Sequence, residues 1–405
     1  MITFFLPRAN DICFLGCLRS LKEEKVEVIC GLYKWNNKQR NFFSNKSKYL
    51  LNKILLPNPA TQEKNFISKI LKLRKKNKKI FYLPTSDTNM MVAINNWKKI
   101  SKNFYIFGNK YFSKPNKSVF CKMSMFKKLV NNKIKTPDTC SFTKKNFFAM
   151  KKKYSELIVK PKFKDYSQSF YKNNNFKAIE ISKLFEFNNL KKKNKNLIKS
   201  LIIQQKINFN NINQELPIYV YVNKNHEIIF SICGVKHFIY PDKFGSAGIL
   251  GITENKEILN LAKKIVKIIK WRGILMIEFI YDIKEKSWKV IEINGRPWLM
   301  IDFFRRLGFS FLKLLIIDFL NLDMKNVLKE FEKNKKFHIK KRSIHVDLSI
   351  LQNAIDYDPE NLKKIKKILK KNKNISISAL DNNDKKPFFV EKKYINNNLI
   401  NLIKY

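Results

Sequence analysis

The sequence predicts an α/β protein of more than one domain, with a parallel α/β unit at its N-terminus and antiparallel hairpins further on. Three observations carry this expectation. The chain has 405 residues, 44% of them hydrophobic, enough for two or three domains with a large buried core. Over residues 1 to about 118, short apolar runs alternate with segments of helical periodicity, the pattern of strands joined by crossover helices. Further along, runs rich in Ile, Val, Phe, Tyr and Trp come in pairs around short polar turns, which is how hairpins read.

Composition narrows the classes of function. Lys+Arg of 82 against Asp+Glu of 32 gives a formal charge of +50, a balance that ordinarily suggests nucleic acid or an anionic membrane. Here the excess is mainly Lys, travels with Asn, Ile and Phe along the whole length as an AT-rich genome would produce, and forms no separate basic block. Solvated helix faces and loops are the favoured reading, and a polyanion-binding surface stays open as the alternative. Cys13, Cys17, Cys30, Cys121, Cys140 and Cys233 fall in no zinc spacing, and the four histidines do not join them. Reduced, buried thiols in a cytoplasmic protein are expected. The opening MITFFLPRANDICFLGCL lacks a basic leader and is interrupted by Arg8 and Asp11. The longest apolar stretch, Phe309 to Leu322, is broken by Lys313 and Asp318, so no segment reaches the roughly 20 residues of a bilayer span.

The N-terminal elements follow in order. Strand ITFFLP precedes a helix with apolar Ile12, Leu15, Leu18 and Leu21; strand VEVICGLY, a helix around Phe66 to Leu73 and strand KIFYLPTSD come next. In a parallel sheet the loops at the C-terminal strand ends line a crevice. Ser86 and Asp87 stand at such an end, where a helix cap is the first expectation and a substrate contact the second.

From Phe120 the pattern changes. FCKMSMFKKLVNNKIKTPDT leads to LIVKPKF, a short apolar strand ending in Lys160-Pro161. The following KFKDYSQSFYKNNN contains no glycine, and ISKLFEFNNLKKKNKNLIKS reads as an exposed lysine-rich helix. LIIQQKI reads as a buried strand, and PIYVYVNKNHEIIFSICGV as a hairpin turning at Asn223 to Asn225 with His226 at the surface. In GVKHFIYPDKFGSAG, Gly245 and Gly248 flank Ser246 and let the backbone approach a ligand, while His237 points away from Lys236. Residues 254–270 place Ile258, Leu261, Ala262, Ile265 and Ile269 on one helical stripe, packed against the sheet that follows.

The stretch GILMIEFIYDIKEKSWKVIEINGRPW, from Gly273 to Trp298, is the candidate working centre. With the turn near Glu285, Glu278 lies opposite Glu292, and opposed Cβ atoms are only about 5 Å apart. Period-two alternation sets Met276 and Ile280 on the face of Glu278, and Val290 and Asn294 on the face of Glu292. Two carboxylates on an apolar surface need a cation or a shared proton. Pairing with lysines on a solvated sheet would meet that need; so would a metal, with Asn294 as a third hard oxygen ligand.

The continuation EINGRPW resembles the metal-binding strand of the ATP-grasp superfamily, and its Arg-Pro-aromatic ending looks like the carboxylate–amine ligase branch. The resemblance implies a pre-ATP-grasp parallel α/β domain over 1–118 and a two-lobed ATP-grasp fold over 119–322, with a small lobe of about 119–207 and a large lobe of about 208–322. A C-terminal extension would fill 323–405, where LDNNDKKPFF faintly resembles the same branch. By this likeness Glu278, Glu292 and Asn294 hold Mg²⁺ or Mn²⁺, and Arg296 faces the transferred phosphoryl group or the substrate. Lys122 and Lys160 reach the phosphates of ATP, and Lys236 lies near the acyl phosphate. LIIQQKI resembles the segment along which adenine lies, involving Gln204, Gln205 and Ile207, with Gln205 replacing the usual Glu. Glu215 is the candidate for the ribose hydroxyls. The first turn, PRAND, lacks the glycines common in the family, and so does the segment after Lys160. The implied reaction is ATP-dependent amide formation from small-molecule carboxylate and amine substrates. It involves no nucleic acid and no membrane span, and admits a homodimer. A protein that kept the fold, lost catalysis and binds nucleic acid or an anionic surface is the rival.

Overall fold

The computed structural model describes residues 2–8, 11–33, 43–73, 79–106, 117–163, 167–174, 177–207, 214–372 and 374–403. Residues 9–10 of the PRAND turn, 164–166 of the glycine-free segment and 208–213 before Glu215 lie outside these.

Strands β1 (Ile2–Leu6), β2 (Glu27–Tyr33), β3 (Asn52–Leu56) and β4 (Lys79–Tyr82) form a parallel sheet in the order β3-β2-β1-β4. The alternation of strand and helix anticipated the parallel arrangement; β3, an edge strand with mostly exposed side chains, is an addition. Phe4, Phe5 and Leu6 are fully buried, as a strand covered on both faces requires. Asp11 caps the helix Ile12–Glu23 by accepting from the Phe14 amide at 2.8 Å, and Ser86 caps Asp87–Asn95 through the Asn89 amide at 3.2 Å.

A second, antiparallel sheet contains β5 (Thr139–Ser141), β6 (Leu157–Pro161), β7 (Ile179–Ile181) and β8 (Leu201–Gln205) in the order β5-β8-β6-β7. Among the described residues the third has seven strands: β9 (Glu215–Val222), β10 (Ile228–Tyr240), β11 (Ser246–Thr253), β12 (Gly273–Asp282), β13 (Ser287–Asn294), β14 (Ile344–Val346) and β15 (Ile375–Ile377). Their order is β13-β12-β9-β10-β11-β14-β15, so residues beyond 323 continue this sheet at its edge. Asn255 caps the helix Lys256–Ile269, which buries Ile258, Ala262, Ile265, Val266 and Ile269 against β9 and β10. Val266 takes the place on the buried stripe expected of Leu261, which is half-buried. His226 is half-buried too, its Nδ1 lying 2.9 Å from the Trp271 carbonyl.

The C-terminal residues are bolted to the N-terminal helix by a buried charge network. Arg19, 1% exposed, donates to Asp384 Oδ2 at 3.1 Å, Asp302 Oδ2 at 3.2 Å, and the carbonyls of Ala379 and Asp384 at 2.9 Å each. Arg305 bonds Asp302, Asp381 and Glu23. The LDNNDKKPFF segment thus supplies Asp381 and Asp384 as counter-charges for helix residues far away in sequence. Such pairs are costly to form, but removing one partner strands the others. All six cysteines are free, and no helix among the described residues is long and apolar enough to cross a membrane.

One buried acidic pair makes stability depend on pH. Glu391 accepts from Ser349 Oγ at 2.6 Å, its other oxygen has no hydrogen-bond partner among the described residues, and Asp347 is close enough for its charge to act on it. Burial pushes the Glu391 carboxyl up to about 8, with the Asp347 charge adding to the effect, and burial pushes Asp347 up to about 6. Between the unfolded value near 4.5 and about 8 the folded chain holds a proton that the unfolded chain has released. Stability therefore falls as pH rises through that window. Thermal unfolding at pH 5 and pH 8 is expected to show a lower Tm at pH 8, and Glu391→Gln to flatten the difference. An unchanged pH slope in the variant would contradict this assignment.

Candidate active site

Four adjacent strands each bring one charged side chain towards a shared cluster. The expected register is observed: Glu278 of β12 pairs with Glu292 of β13, and Met276 with Asn294. On the other side of β12, Glu215 of β9 pairs with Ile280, and β10 carries Lys236 next to β9. The register shifts after Glu278, where Phe279 pairs with Val290 and leaves Ile291 as an extra residue. This bulge breaks the alternation, so Val290 does not share the face of Glu292 as expected: Val290 and Ile293 are buried while Ile291 and Glu292 are both half-buried. A bulge re-aims a side chain, here the Glu292 carboxylate.

Charge balance decides how the carboxylates coexist. Two charges about 5 Å apart repel by roughly 3 kcal/mol at an effective dielectric of about 20. Lys236 Nζ meets this by bonding Glu215 and lying 3.0 Å from Glu278 Oε2, and Lys122 Nζ lies 3.3 Å from Glu292 Oε1. Lysine pairing is thus present, on a face where the Glu278 and Glu292 side chains are only 15% and 27% exposed. Burial alone would lower the Lys236 ammonium; Glu278 and Glu215 outweigh it and hold the group well above its ordinary value. Asn294, 2% exposed, donates to Glu278 Oε1 at 3.4 Å, so two carboxylates and an amide stand together. No group of three His, Cys, Asp or Glu side chains suited to a metal occurs among the described residues. Glu278, Glu292 and Asn294 offer hard oxygen donors, a chemistry that fits a divalent cation such as Mg²⁺ with waters and phosphate oxygens completing the shell.

The remaining predicted residues lie at the start of the helix Lys122–Asn131, in and just after the second sheet, and beside the N-terminal sheet. Lys122 opens the helix Lys122–Asn131, its amide donating to the Lys162 carbonyl at 2.9 Å. Because β6 ends at Pro161, this bond ties the helix start to the strand end that carries the half-buried Lys160. The Val290 amide donates to the Lys135 carbonyl at 3.0 Å, joining the same segment to β13. Gln204 is buried in β8 with its side chain on Thr139 Oγ1 at 2.8 Å. Gln205 Oε1 accepts from Lys289 of β13 at 3.1 Å, so this side chain ties the second and third sheets together. The Gln205 and Lys206 amides donate to Asp138 and Glu156 carbonyls at 2.8 and 3.4 Å, and Ile207 follows, buried.

Gly295 turns the chain out of β13. A Cβ there would meet the Trp271 ring at 2.3 Å, which only glycine avoids. Arg296 then reaches the N-terminal sheet, where Nε and Nη2 donate to Asp87 at 2.9 and 2.7 Å. Asp87, Lys122 and Glu292 line one small cavity of about 10 Å³, room for a single water or ion. Gly245 is similarly confined, its Cβ position 2.1 Å from the Pro241 carbonyl.

The structure therefore brings Glu278, Glu292, Asn294, Lys236, Lys122 and Glu215 into one cluster, with Arg296 at its N-terminal side and Gln204, Gln205 and Ile207 along the join with the second sheet. Sequence reasoning missed that Glu215 shares Lys236 with Glu278, and that Asp87 partners Arg296 across 209 positions. Neither contact leaves a local periodic signal.

No protein-family model matches the sequence, nor does any curated protein. Solved structures do. A carboxyaminoimidazole ribonucleotide synthase from Aspergillus clavatus, complexed with ATP, is similar at TM-score 0.59 and 11% identity, over 80% of this chain and 77% of that one. An L-amino acid ligase from Bacillus licheniformis gives 0.54 and 12%, over 81% and 74%. A biotin carboxylase from Campylobacter jejuni gives 0.55 and 13%, over 78% and 70%. The chain has the ATP-grasp fold that these structures share.

Removing the shared cation should expose the cost of this cluster. Lys236→Met leaves Glu215 and Glu278 facing each other uncompensated, and urea unfolding is expected to show a loss of about 3 kcal/mol. A loss below about 1 kcal/mol would mean that the carboxylates are neutralised in another way.

Proposed function

We propose that this protein is an ATP-dependent carboxylate–amine ligase that forms an amide through an acyl phosphate, releasing ADP and phosphate. The observation that carries the reading is the register of β12 against β13, which sets Glu278 opposite Glu292 with Asn294 two residues on. The fold supports it, since the similar structures include an ATP complex of a carboxyaminoimidazole ribonucleotide synthase and an L-amino acid ligase. The proposed division is an N-terminal domain over 1–118, an ATP-grasp domain over 119–322 and an extension over 323–405.

In this reading the γ-phosphoryl group of ATP passes to a substrate carboxylate oxygen as its bond to the bridging oxygen of ADP breaks. The amine then forms the C–N bond, phosphate leaves, and the amine gives up a proton. A bound Mg²⁺, held by Glu278, Glu292 and Asn294, supplies charge neutralisation at the phosphates. Lys122 and Lys160, tied together at the end of β6, act as compact cations for the phosphates. Lys236, held charged by Glu215 and Glu278, faces the developing acyl phosphate. Glu215, already engaged with Lys236, approaches the ribose from β9. Adenine lies along 204–207, where the committed Gln205 and Lys206 amides pass its recognition to the Ile207 end. Arg296 stabilises charge on the transferred group. Closure between the two antiparallel sheets keeps water from the intermediate. No covalent nucleophile is required: positioning and electrostatics supply the rate.

The test is an ADP-release screen over amino acids and small carboxylates, with mass spectrometry of the product. Glu292→Gln is expected to lower substrate-dependent ADP release at least 100-fold while leaving the circular dichroism spectrum unchanged. Unaltered turnover would remove the metal assignment. If no Mg²⁺-ATP thermal shift is seen and DNA or RNA binds with a steep salt dependence, the rival binding function stands instead.

A further inference from the structure

The geometry points to Asp87, in the N-terminal sheet unit, as a positioning residue that orients Arg296 towards the transferred phosphoryl group, an inference resting on the ligase reading above. Arg296 is held from both ends. At its backbone, Gly295 is pressed on the Trp271 ring, where no side chain fits. At its head, Asp87 takes Nε and Nη2 at 2.9 and 2.7 Å, and the Pro297 carbonyl takes Nη1 at 2.8 Å. A guanidinium has five N–H donors in one plane. Three are used among the described residues, which leaves one on each terminal nitrogen for an oxyanion. With one edge clamped by a carboxylate, the plane of the group and the direction of those two donors are set.

Asp87 is itself anchored. It opens the helix Asp87–Asn95, whose cap Ser86 accepts from the amide of Asn89, and Asn89 and Met90 are fully buried. A pair that served only to dock two parts of the chain has no need to border the reaction centre. This one does: Asp87 shares its small cavity with Lys122 and Glu292. The side chains of Arg296 and Asp87 are 18% and 23% exposed, so the pair is accessible from that side. The N-terminal sheet would thus take part in phosphoryl transfer through one side chain, and the docking of that sheet would be read out as the aim of Arg296.

The test uses the full-length chain with Mg²⁺, ADP and aluminium fluoride, a mimic of the group in flight that needs no knowledge of the carboxylate or amine. Wild-type protein is expected to bind ADP with aluminium fluoride more tightly than ADP alone. Asp87→Asn should weaken the fluoride complex about tenfold or more while leaving ADP affinity within about twofold, the scale on which supporting residues act. In Arg296→Lys the further change of Asp87 should cost nothing more, because both changes remove one interaction. A fluoride complex unaffected by Asp87→Asn, or losses that add in the double variant, would overturn the inference and leave the ligase reading standing. A wild-type protein that binds ADP but gains nothing from fluoride would overturn it as well. Failure of wild-type protein to bind ADP at all would instead remove the ligase reading. Should Asp87→Asn not fold, Asp87→Ser, suited to the first turn of a helix, carries the same expectation.

Discussion

The pairing of β12 with β13 is the constraint on which the candidate site depends. A slip of one residue would send Glu278 or Glu292 to the opposite face. The register is held by a four-residue turn, by apolar pairs such as Ile277 with Ile293, and by the bulge at Ile291 that directs Glu292. Once it is set, like charges must lie together, and the rest of the neighbourhood answers that requirement. Lys236 comes from two strands away and Lys122 from a helix of the preceding segment, because a half-buried carboxylate pair has to be neutralised from somewhere.

The same logic operates on a larger scale between the parts of the chain. The helix Ile12–Glu23 packs on Ile301–Arg306, with Gly16 against Ile301 and Asp302. Arg19 reaches through that contact to Asp384, so the N-terminal unit, the helix Ile301–Arg306 and the C-terminal residues share one buried network. This arrangement fixes how the N-terminal sheet faces Arg296. A net charge of +50 is compatible with it because Asp302, Asp381 and Asp384 stand where counter-charges are needed, while most of the described lysines are exposed.

Much of the centre was legible in the sequence. β-rich runs around a polar turn placed Glu278 opposite Glu292, since a two-residue period and a turn position suffice to count a hairpin. The helix stripe from Ile258 to Ile269 was legible for the same reason. The bulge is not, because one extra residue in a strand changes no composition; strict alternation accordingly puts Val290 on the wrong face. His226 reads as a surface residue beside a turn, yet the fold closes that turn onto Trp271 and leaves the ring half-buried. The Arg296–Asp87 pair, the Arg19 network and the sharing of Lys236 by two glutamates depend on how distant segments meet. No residue spacing announces them. LDNNDKKPFF carried no readable chemistry for this reason, although Asp381 and Asp384 become essential counter-charges once the chain is folded.

The most direct test of the central claim is the binding of Mn²⁺, followed by the loss of its free-ion paramagnetic resonance signal as protein is added in the presence of ADP. The account predicts one nucleotide-dependent site per chain, weakened at least tenfold by Glu278→Gln and by Asn294→Leu with the fold intact. Equal Mn²⁺ binding by wild-type and both variants would contradict it, since the paired strands would then bring their oxygens together without holding a metal.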